Sequence, residues 1–183
     1  MIAYIILTLL FLTFLWIVSQ YNHLIRLKSL VNEAFSGIDV QCKRRSDLIP
    51  NLVAIVKQYG IHEKEVLENV KKMRSVALAA TDVDQRSKAE AGITGVLKTL
   101  FAVAENYPNL KANENFLLLQ KDLVLIEEEL NLARRYYNGA ARNYNINIGV
   151  FPTNIIASLL HFAAVSYIEF ASESERQAPK ITF

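Results

Sequence analysis

The chain has 183 residues, of which 52% are hydrophobic and 21% are charged, with six glycines and four prolines. This composition favours one compact all-α domain with few helix interruptions over a sheet protein with many turns. The formal net charge of +2 gives no bulk basic signal for nucleic acid, and the single cysteine, Cys42, excludes an internal disulfide framework.

The first element is an uncharged apolar run from Ile2 to Val18, IAYIILTLLFLTFLWIV, without glycine or proline. About 17 residues at roughly 1.5 Å each give about 26 Å of helix, enough to cross a hydrocarbon core. No charged segment precedes the run and no small-x-small cleavage pattern follows it, which argues against a secretory signal peptide. We therefore predict a retained membrane anchor over residues 1–20. Its anchor residues are Ile2, Leu9, Leu15, Trp16 and Val18.

The cations of the chain follow this span: Arg26 and Lys28 come first, and Lys43, Arg44 and Arg45 come next. Positive charge stays on the cytoplasmic side of a membrane. We therefore expect the N-terminus outside and residues 20–183 in the cytoplasm.

A long helix is predicted from Tyr21 to Tyr59, and the membrane helix can continue directly into it because no glycine or proline intervenes before Gly37. The apolar pattern fails between Gln41 and Pro50, QCKRRSDLIP. Pro50 lacks an N–H and crowds the carbonyl of Ser46, so we expect a kink or a helix restart, with Asp47 as a cap.

The three cations Lys43, Arg44 and Arg45 precede this expected kink and point in different directions on a helix. We expect them to meet acidic residues on a neighbouring helix or on a partner protein, and we favour the structural role. Lipid headgroups are an unsuitable target, because the predicted topology places the cations farther from the membrane than a Debye length of about 8 Å.

Two shorter helices follow, one from Ile61 to Ala80 and one that ends near Tyr107, before Pro108; Asp82 or Asp84 can cap the second. The fourth long helix carries a seam with alternating steps of three and four residues. The seam consists of Phe116, Leu119, Leu123, Ile126, Leu130, Ala133, Tyr137, Ala140 and Tyr144. Extra apolar residues flank its first half, which we expect to contact several neighbours. These are Leu118, Val124, Leu125 and Leu132.

The helix lengths predict a topology in which helices one and four run the full length and the two shorter helices pair with their far half. The far half is then a four-helix bundle and the near half a two-helix stalk, an antiparallel helical domain over residues 21–171 with a polar tail over 172–183. Six residues are candidates for stalk packing and assembly. They are Tyr21 and Asn22 on helix one, facing Tyr144 and Asn145 on helix four, together with Tyr137 and Asn138.

The stretch FPTNIIASLLHFAAVSYIEF, Phe151 to Phe170, comes next, and the topology returns it to the membrane surface. A second span is disfavoured by His161 and Glu169. A buried core helix and a helix that packs on the stalk while its apolar side dips into the interface both remain open. The membrane-proximal candidates are Phe151, Pro152, Asn154, Ile155, Leu159 and Phe162.

No catalytic constellation is apparent. None of the three histidines has a glutamate three residues before it, as a di-iron bundle requires, and HEKE at His62 lacks the second histidine of a zinc peptidase helix. Glycine-rich phosphate loops and a G-x-S-x-G elbow are missing as well. Glu127 to Glu129 are expected to form a solvated face. We therefore predict no catalytic residue, no cofactor and no metal.

Four segments resemble the LemA family: YNHLIRLKSLVNEAFSGIDVQCKRRSDLIPNLV, AENYPNLKANENFLLLQKDL, ARRYYNGAARNYN and FPTNIIASLLHF. Cys42 departs from that pattern, where an apolar residue is more usual, and so does His161, where a small residue, often glycine, is expected. The resemblance implies a bacterial membrane protein with one N-terminal span, a cytoplasmic antiparallel helical domain and no established enzymatic activity. Some relatives are linked to building internal membrane compartments, and some are encoded beside membrane-bound peptidases.

Two functions remain open at this stage. The first is an oligomeric scaffold that shapes the membrane through the Phe151–Phe170 stretch. The second is a monomeric adaptor or regulator that holds a membrane-bound partner such as a protease on its charged distal surface. The expected partners are therefore the lipid bilayer, further copies of this chain and a membrane protein.

Overall fold

A computed structural model describes residues 1–59 and 64–168 of the chain, and it confirms the predicted all-α fold. Within those ranges there are six helices and no strand. The helices are α1 (Ile2–Gln58), α2 (Lys64–Ala79), α3 (Val83–Ala104), α4 (Pro108–Lys111), α5 (Glu114–Gly149) and α6 (Thr153–Leu159).

Helix α1 is continuous from the apolar run into the domain and spans 57 residues, as the absence of an early breaker indicated. It also continues through Pro50, so the expected helix restart is wrong. The carbonyl of Ser46, which has no amide partner at Pro50, accepts a hydrogen bond of 2.9 Å from Nε of Arg74 on α2. Asp47 does not cap a new helix, because its carboxylate pairs with Lys43 at 3.1 Å.

The chain forms two compact units. The first comprises Met1–Ser36 and Arg135–Tyr167, and the second contains Gly37–Arg134 together with Ile168. In the first unit, α1, α5 and α6 bury a small set of mostly aliphatic and aromatic side chains, and the rings of Phe35 and Tyr137 lie 6.0 Å apart. The buried set is Leu24, Val31, Ala34, Tyr137, Ala140, Ala141, Tyr144, Ile156 and Ala157.

The second unit has a hydrophobic core to which α1, α2, α3, α4 and α5 all contribute. Asp82 caps α3 by accepting a 2.8 Å hydrogen bond from the backbone N–H of Gln85, which confirms one of the two predicted caps. Pro108 opens the short helix α4. Fully buried core members are Ile49, Leu52, Val56, Val70, Ile93, Leu100 and Leu110.

Helix α5 buries most of its predicted seam. The expectation that the apolar residues flanking the seam also contact several neighbours is wrong. Leu118, Val124, Leu125 and Leu132 are each about half exposed or more. Helix α5 contributes only its seam residues to the core of the second unit. Three apolar positions in every two helical turns are enough to pack one helix against its neighbours. The flanks therefore remain on the protein surface.

Candidate membrane-surface site

The N-terminal part of α1 is exposed along its whole apolar length. A stretch near the N-terminus is long and apolar enough to cross a membrane, and none of it is buried within the protein. Ile2 and Leu9 are 75% and 65% exposed, and Leu15, Trp16 and Val18 are exposed as well. A run of this length without protein contacts needs an apolar environment, which a bilayer supplies.

Helix α6 is much shorter than the predicted Phe151–Phe170 helix, which is wrong beyond Leu159. It ends in a Schellman motif: the N–H of Phe162 bonds to the carbonyl of Ala157 at 2.9 Å, and that of His161 to Ser158 at 3.3 Å. His161 has φ 58°, the left-handed conformation that favours glycine. Glu169 and Phe170 lie outside the described residues.

Residues 162–167, here termed the C-terminal strap, form neither helix nor strand and run along α5. Three buried or half-buried side chains of α5 hold its backbone. Tyr144 donates from its hydroxyl to the carbonyl of Ala163 at 3.1 Å, and Tyr137 donates to that of Ser166 at 2.8 Å. Asn145 accepts from the N–H of Val165 and donates to its carbonyl, both at 2.9 Å.

The same contacts change the interpretation of the six stalk residues. Tyr137, Tyr144 and Asn145 make these bonds within one chain, and burial raises the pKa of the Tyr144 hydroxyl. Tyr21 contacts Phe162, with ring centroids 6.0 Å apart, so its aromatic partner is not the one expected on α5. Asn22 is exposed and Asn138 is half-buried. The rings of Tyr137 and Tyr144 are buried, so neither is available on the surface for another copy.

Helix α6 lies beside the segment of α1 that directly follows the apolar run. The hydroxyl of Thr153 lies 3.4 Å from the side-chain oxygen of Gln20. Phe162, just after α6, packs edge-on against Tyr21 and has the Lys28 ammonium 6.0 Å from its ring centroid. Since the apolar run ends at Val18, these contacts place α6 beside the residues of α1 that directly follow the run.

One face of α6 is buried, and the other is exposed and carries Ile155 and Leu159 together with Asn154 and Ser158. Thr153, Ile156 and Ala157 are buried against the unit. Phe151, Ile155 and Leu159, at steps of four residues, are 80%, 60% and 75% exposed. Pro152 and Asn154 are exposed beside them, with Pro152 at the residue before the helix rather than in its first turn. The core interpretation of the stretch therefore holds for one side of the short helix, and the interface interpretation of the other side stays a prediction.

In the second unit, the three consecutive cations Lys43, Arg44 and Arg45 lie in three different environments. Lys43 pairs with Asp47, and Arg44 donates to Gln41 on the surface of α1. Arg45 is 4% exposed and its guanidinium lies between two carboxylates on other helices. Its Nη1 is 3.2 Å from Glu90 on α3 and 2.9 Å from Glu127 on α5.

A hydrogen bond and a further cation complete the surroundings of Arg45. Its Nη2 donates to the hydroxyl of Thr94 at 3.0 Å, and Arg134 approaches Glu127 at 3.7 Å. The solvated face expected for Glu127 is therefore wrong, since its carboxylate is drawn inward by two arginines. A buried cation needs such partners, because an unpaired charge in the interior costs several kcal/mol.

Cys42 lies one helical turn before this cation and is 1% exposed. Burial raises the pKa of its thiol, and the nearby Glu90 carboxylate raises it further. The thiol is therefore protonated and unreactive in the folded protein.

Two comparisons with known proteins agree. The sequence profile described as "LemA family" matches residues 34–183. The chain belongs to the LemA family. It is also similar to Protein LemA of Metamycoplasma hominis, with 32% identity over 164 residues, which cover 87% of this chain and 73% of the relative. The resemblance noted from the four sequence segments is thus confirmed.

Both departures from the expected LemA pattern have a visible structural setting. Cys42 fills a fully buried position on α1, where an apolar side chain would also fit. His161 follows α6 in the left-handed backbone conformation, which glycine adopts at the lowest cost in free energy. Glycine at that position is a helix stop signal, so its replacement by histidine removed the one local sequence cue for the end of α6.

Proposed function

We propose that this protein is a non-enzymatic membrane scaffold, anchored by α1, that inserts the exposed face of α6 into the adjacent leaflet and assembles with other copies to shape the membrane. The observation that carries the proposal is the position of Phe151, Ile155 and Leu159 beside the end of the apolar run. A short helix that buries one face against protein and offers the other to lipid is suited to the membrane interface.

The expected energy of this insertion is substantial. Transferring about 300 Å² of apolar surface from water to lipid contributes roughly 7 kcal/mol as an upper estimate. The inserted helix occupies area in one leaflet only. Repeated over neighbouring copies, such one-sided insertion favours curvature of that leaflet.

Self-association is the second part of the proposal. Leu118, Leu125 and Leu132, here termed the α5 apolar row, are spaced seven residues apart and exposed. A second copy presents the same spacing, which suits contact between identical surfaces related by two-fold symmetry. Charges of both signs, such as Lys121 and Glu129, flank the row, so identical copies do not face uniform repulsion.

The orientation follows from the cations after the span. Arg26 and Lys28 are exposed within about three turns of the apolar run. The positive-inside tendency then puts the helical domain in the cytoplasm and α6 at the inner leaflet. A cytoplasmic reporter fused after Phe183 is expected to be active, and a periplasmic reporter at the same place is expected to be silent.

The decisive experiment measures the depth of α6 in a bilayer. The full chain with Cys42→Ala receives a single cysteine at Ile155 or Leu159, is spin-labelled, and is reconstituted in liposomes. We expect oxygen to collide with these labels more often than a water-soluble nickel complex does, as for sites within the acyl region. Ser75→Cys, exposed on α2, serves as the matched aqueous control.

Two results would contradict the proposal. If the labels at Ile155 and Leu159 show the same nickel accessibility as the label at Ser75, α6 does not enter lipid. If they are shielded from both reagents, the face is covered by protein, and the segment is an interface or a core element rather than a membrane insertion.

A further inference from the structure

A groove between α1 and α2 of the second unit combines an apolar floor with a cationic rim. It has a volume of about 550 Å³ and is open to solvent along one side. Ile49, Pro50 and Val53 of α1 form its floor. Its cations are Lys57, Lys71 and Arg74. The volume lies within the range typical of small-ligand sites in proteins.

The Arg74 side chain is held in place by the backbone defect at Pro50. Its Nε donates to the Ser46 carbonyl at 2.9 Å, which is the acceptor that the missing N–H of Pro50 leaves open. Among the described residues, no hydrogen bond or ion pair engages its terminal nitrogens Nη1 and Nη2. The fork that binds a carboxylate in a bidentate manner is therefore pre-oriented and unoccupied by protein.

The charge of the groove is not balanced by its own lining. Within the part of the chain that the structure describes, no acidic side chain lines it. The other inward-facing arginines contrast with Arg74: Arg45 has two carboxylates within 3.2 Å, and Arg86 pairs with Asp39 at 2.9 Å. A ligand that brings an anion thus supplies the one component that the groove lacks.

We propose that this groove binds an acidic peptide segment of a partner protein, with a carboxylate on Arg74 and the two lysines and a neighbouring apolar side chain on the floor. An inorganic anion would leave the apolar floor in water. An acyl chain needs an enclosed apolar channel, which an open groove with cations on both walls does not provide. A peptide offers both chemistries within a few residues and lies well along two helices.

The test uses the full chain in detergent and a fluorescein-labelled peptide, Gly-Asp-Glu-Leu-Phe, with a free terminal carboxylate. Binding is followed by fluorescence anisotropy. We expect saturable binding that weakens as salt screens the cations, and we expect Gly-Asn-Gln-Leu-Phe amide, which lacks the carboxylates, not to bind. Lys57→Gln with Lys71→Gln should weaken binding at least about tenfold, because the peptide carboxylates then lose two of the three cations that the groove offers them.

The control is Lys72→Gln, which removes an exposed lysine next to Lys71 that does not line the groove. It should bind like the wild type, and the double variant should keep the wild-type melting temperature since both lysines are exposed. Three outcomes overturn the proposal: no saturable binding of the acidic peptide, equal weakening by Lys72→Gln, or displacement by short-chain phosphatidylglycerol but not by unlabelled peptide. The last outcome would assign the groove to a lipid.

Discussion

Asn145 forms two hydrogen bonds with the backbone of Val165, one from each end of its side-chain amide and both 2.9 Å long. The side chain thereby satisfies both backbone groups of a residue that lies outside any helix or strand. On either side, Tyr144 and Tyr137 donate to Ala163 and Ser166. The C-terminal strap is therefore fixed to α5 by polar contacts, although it follows an apolar stretch of sequence.

Asn145→Ala is expected to loosen the strap, because it removes both hydrogen bonds and leaves the partly buried N–H of Val165 without a partner. The expected loss of stability is about 1–3 kcal/mol. Hydrogen exchange should accelerate at residues 163–166 and remain unchanged in α3. Asn147→Ala is the matched control, since within residues 1–59 and 64–168 the Asn147 side chain bonds only to the exposed Asn143 carbonyl on its own helix.

This outcome also bears on assembly. The pair Tyr144→Ala with Asn145→Ala is still expected to weaken oligomers, but through release of the strap rather than loss of a direct contact between copies. If the pair reduces the assembled mass while exchange in residues 163–166 stays slow, the strap is not the cause.

His161→Gly is expected to stabilise the protein. A non-glycine residue in the left-handed conformation costs about 1–2 kcal/mol, and the greater freedom of glycine in the unfolded chain offsets part of this gain. A net increase of about 0.5–1 kcal/mol in the free energy of unfolding should result. His161→Ala retains the unfavourable φ and should show no such gain. Equal effects of the two variants would indicate that the imidazole, and not the backbone, determines stability here.

Arg45→Met is expected to destabilise the second unit by about 3–5 kcal/mol, because it leaves the buried carboxylate of Glu90 without its cation. Adding Glu90→Leu should recover a large part of the loss, since the two apolar side chains then replace the pair. Chemical unfolding of wild type, both single variants and the double variant gives the coupling energy. Lys43→Met is the control for an exposed pair and should change stability by less than about 1 kcal/mol. Additive effects at Arg45 and Glu90 would contradict a direct interaction.

The same region shows how far the sequence predicts this fold. Helical periodicity located α1, α2, α3 and α5, because their inward positions are mostly apolar. The pattern was lost between Gln41 and Pro50, where Cys42, Arg45 and Ser46 occupy buried positions. Those polar residues are tolerated only because α2, α3 and α5 supply Arg74, Glu90 and Glu127, and no local pattern reveals partners so distant in sequence.

The strap escaped prediction for a related reason. Its backbone is held by side chains 19 to 29 residues away, and its apolar composition is equally suited to a helix. The membrane-proximal set includes the exposed residues Phe151, Ile155 and Leu159, and their contact with lipid stays a prediction.

The Cys42 thiol should resist alkylation while the protein is folded. Burial raises its pKa, so the reactive thiolate is scarce at pH 8. Iodoacetamide labelling should therefore follow unfolding in a denaturant series. Because the thiol pKa is higher in the folded protein than in the unfolded chain, the protonated thiol favours the folded state. Its contribution to stability is complete below the ordinary thiol pKa of about 8.5 and declines as the pH rises above that value.

Comparison of the wild type with Cys42→Ala isolates this pH effect from the titration of lysines and tyrosines. Between pH 8 and pH 10 the wild type should lose up to about 1.4 kcal/mol more per pH unit than the variant. Parallel stability curves, or fast alkylation without denaturant, would show that the thiol is accessible in the native state.

Leu125→Cys in the Cys42→Ala background tests whether the α5 apolar row is the contact between copies. Oxidation of membranes that contain this variant should produce a disulfide-linked dimer, since a two-fold contact centred on the row brings Leu125 close to its own counterpart. Val76→Cys, an exposed apolar position on α2, is the collision control and should remain largely monomeric. A separate variant, Leu125→Glu, should lower the mass of the detergent-solubilised particle, because it places like charges opposite each other at the centre of the contact. If Val76→Cys cross-links as readily as Leu125→Cys, or if Leu125→Glu retains the full assembled mass, then copies do not meet through this row.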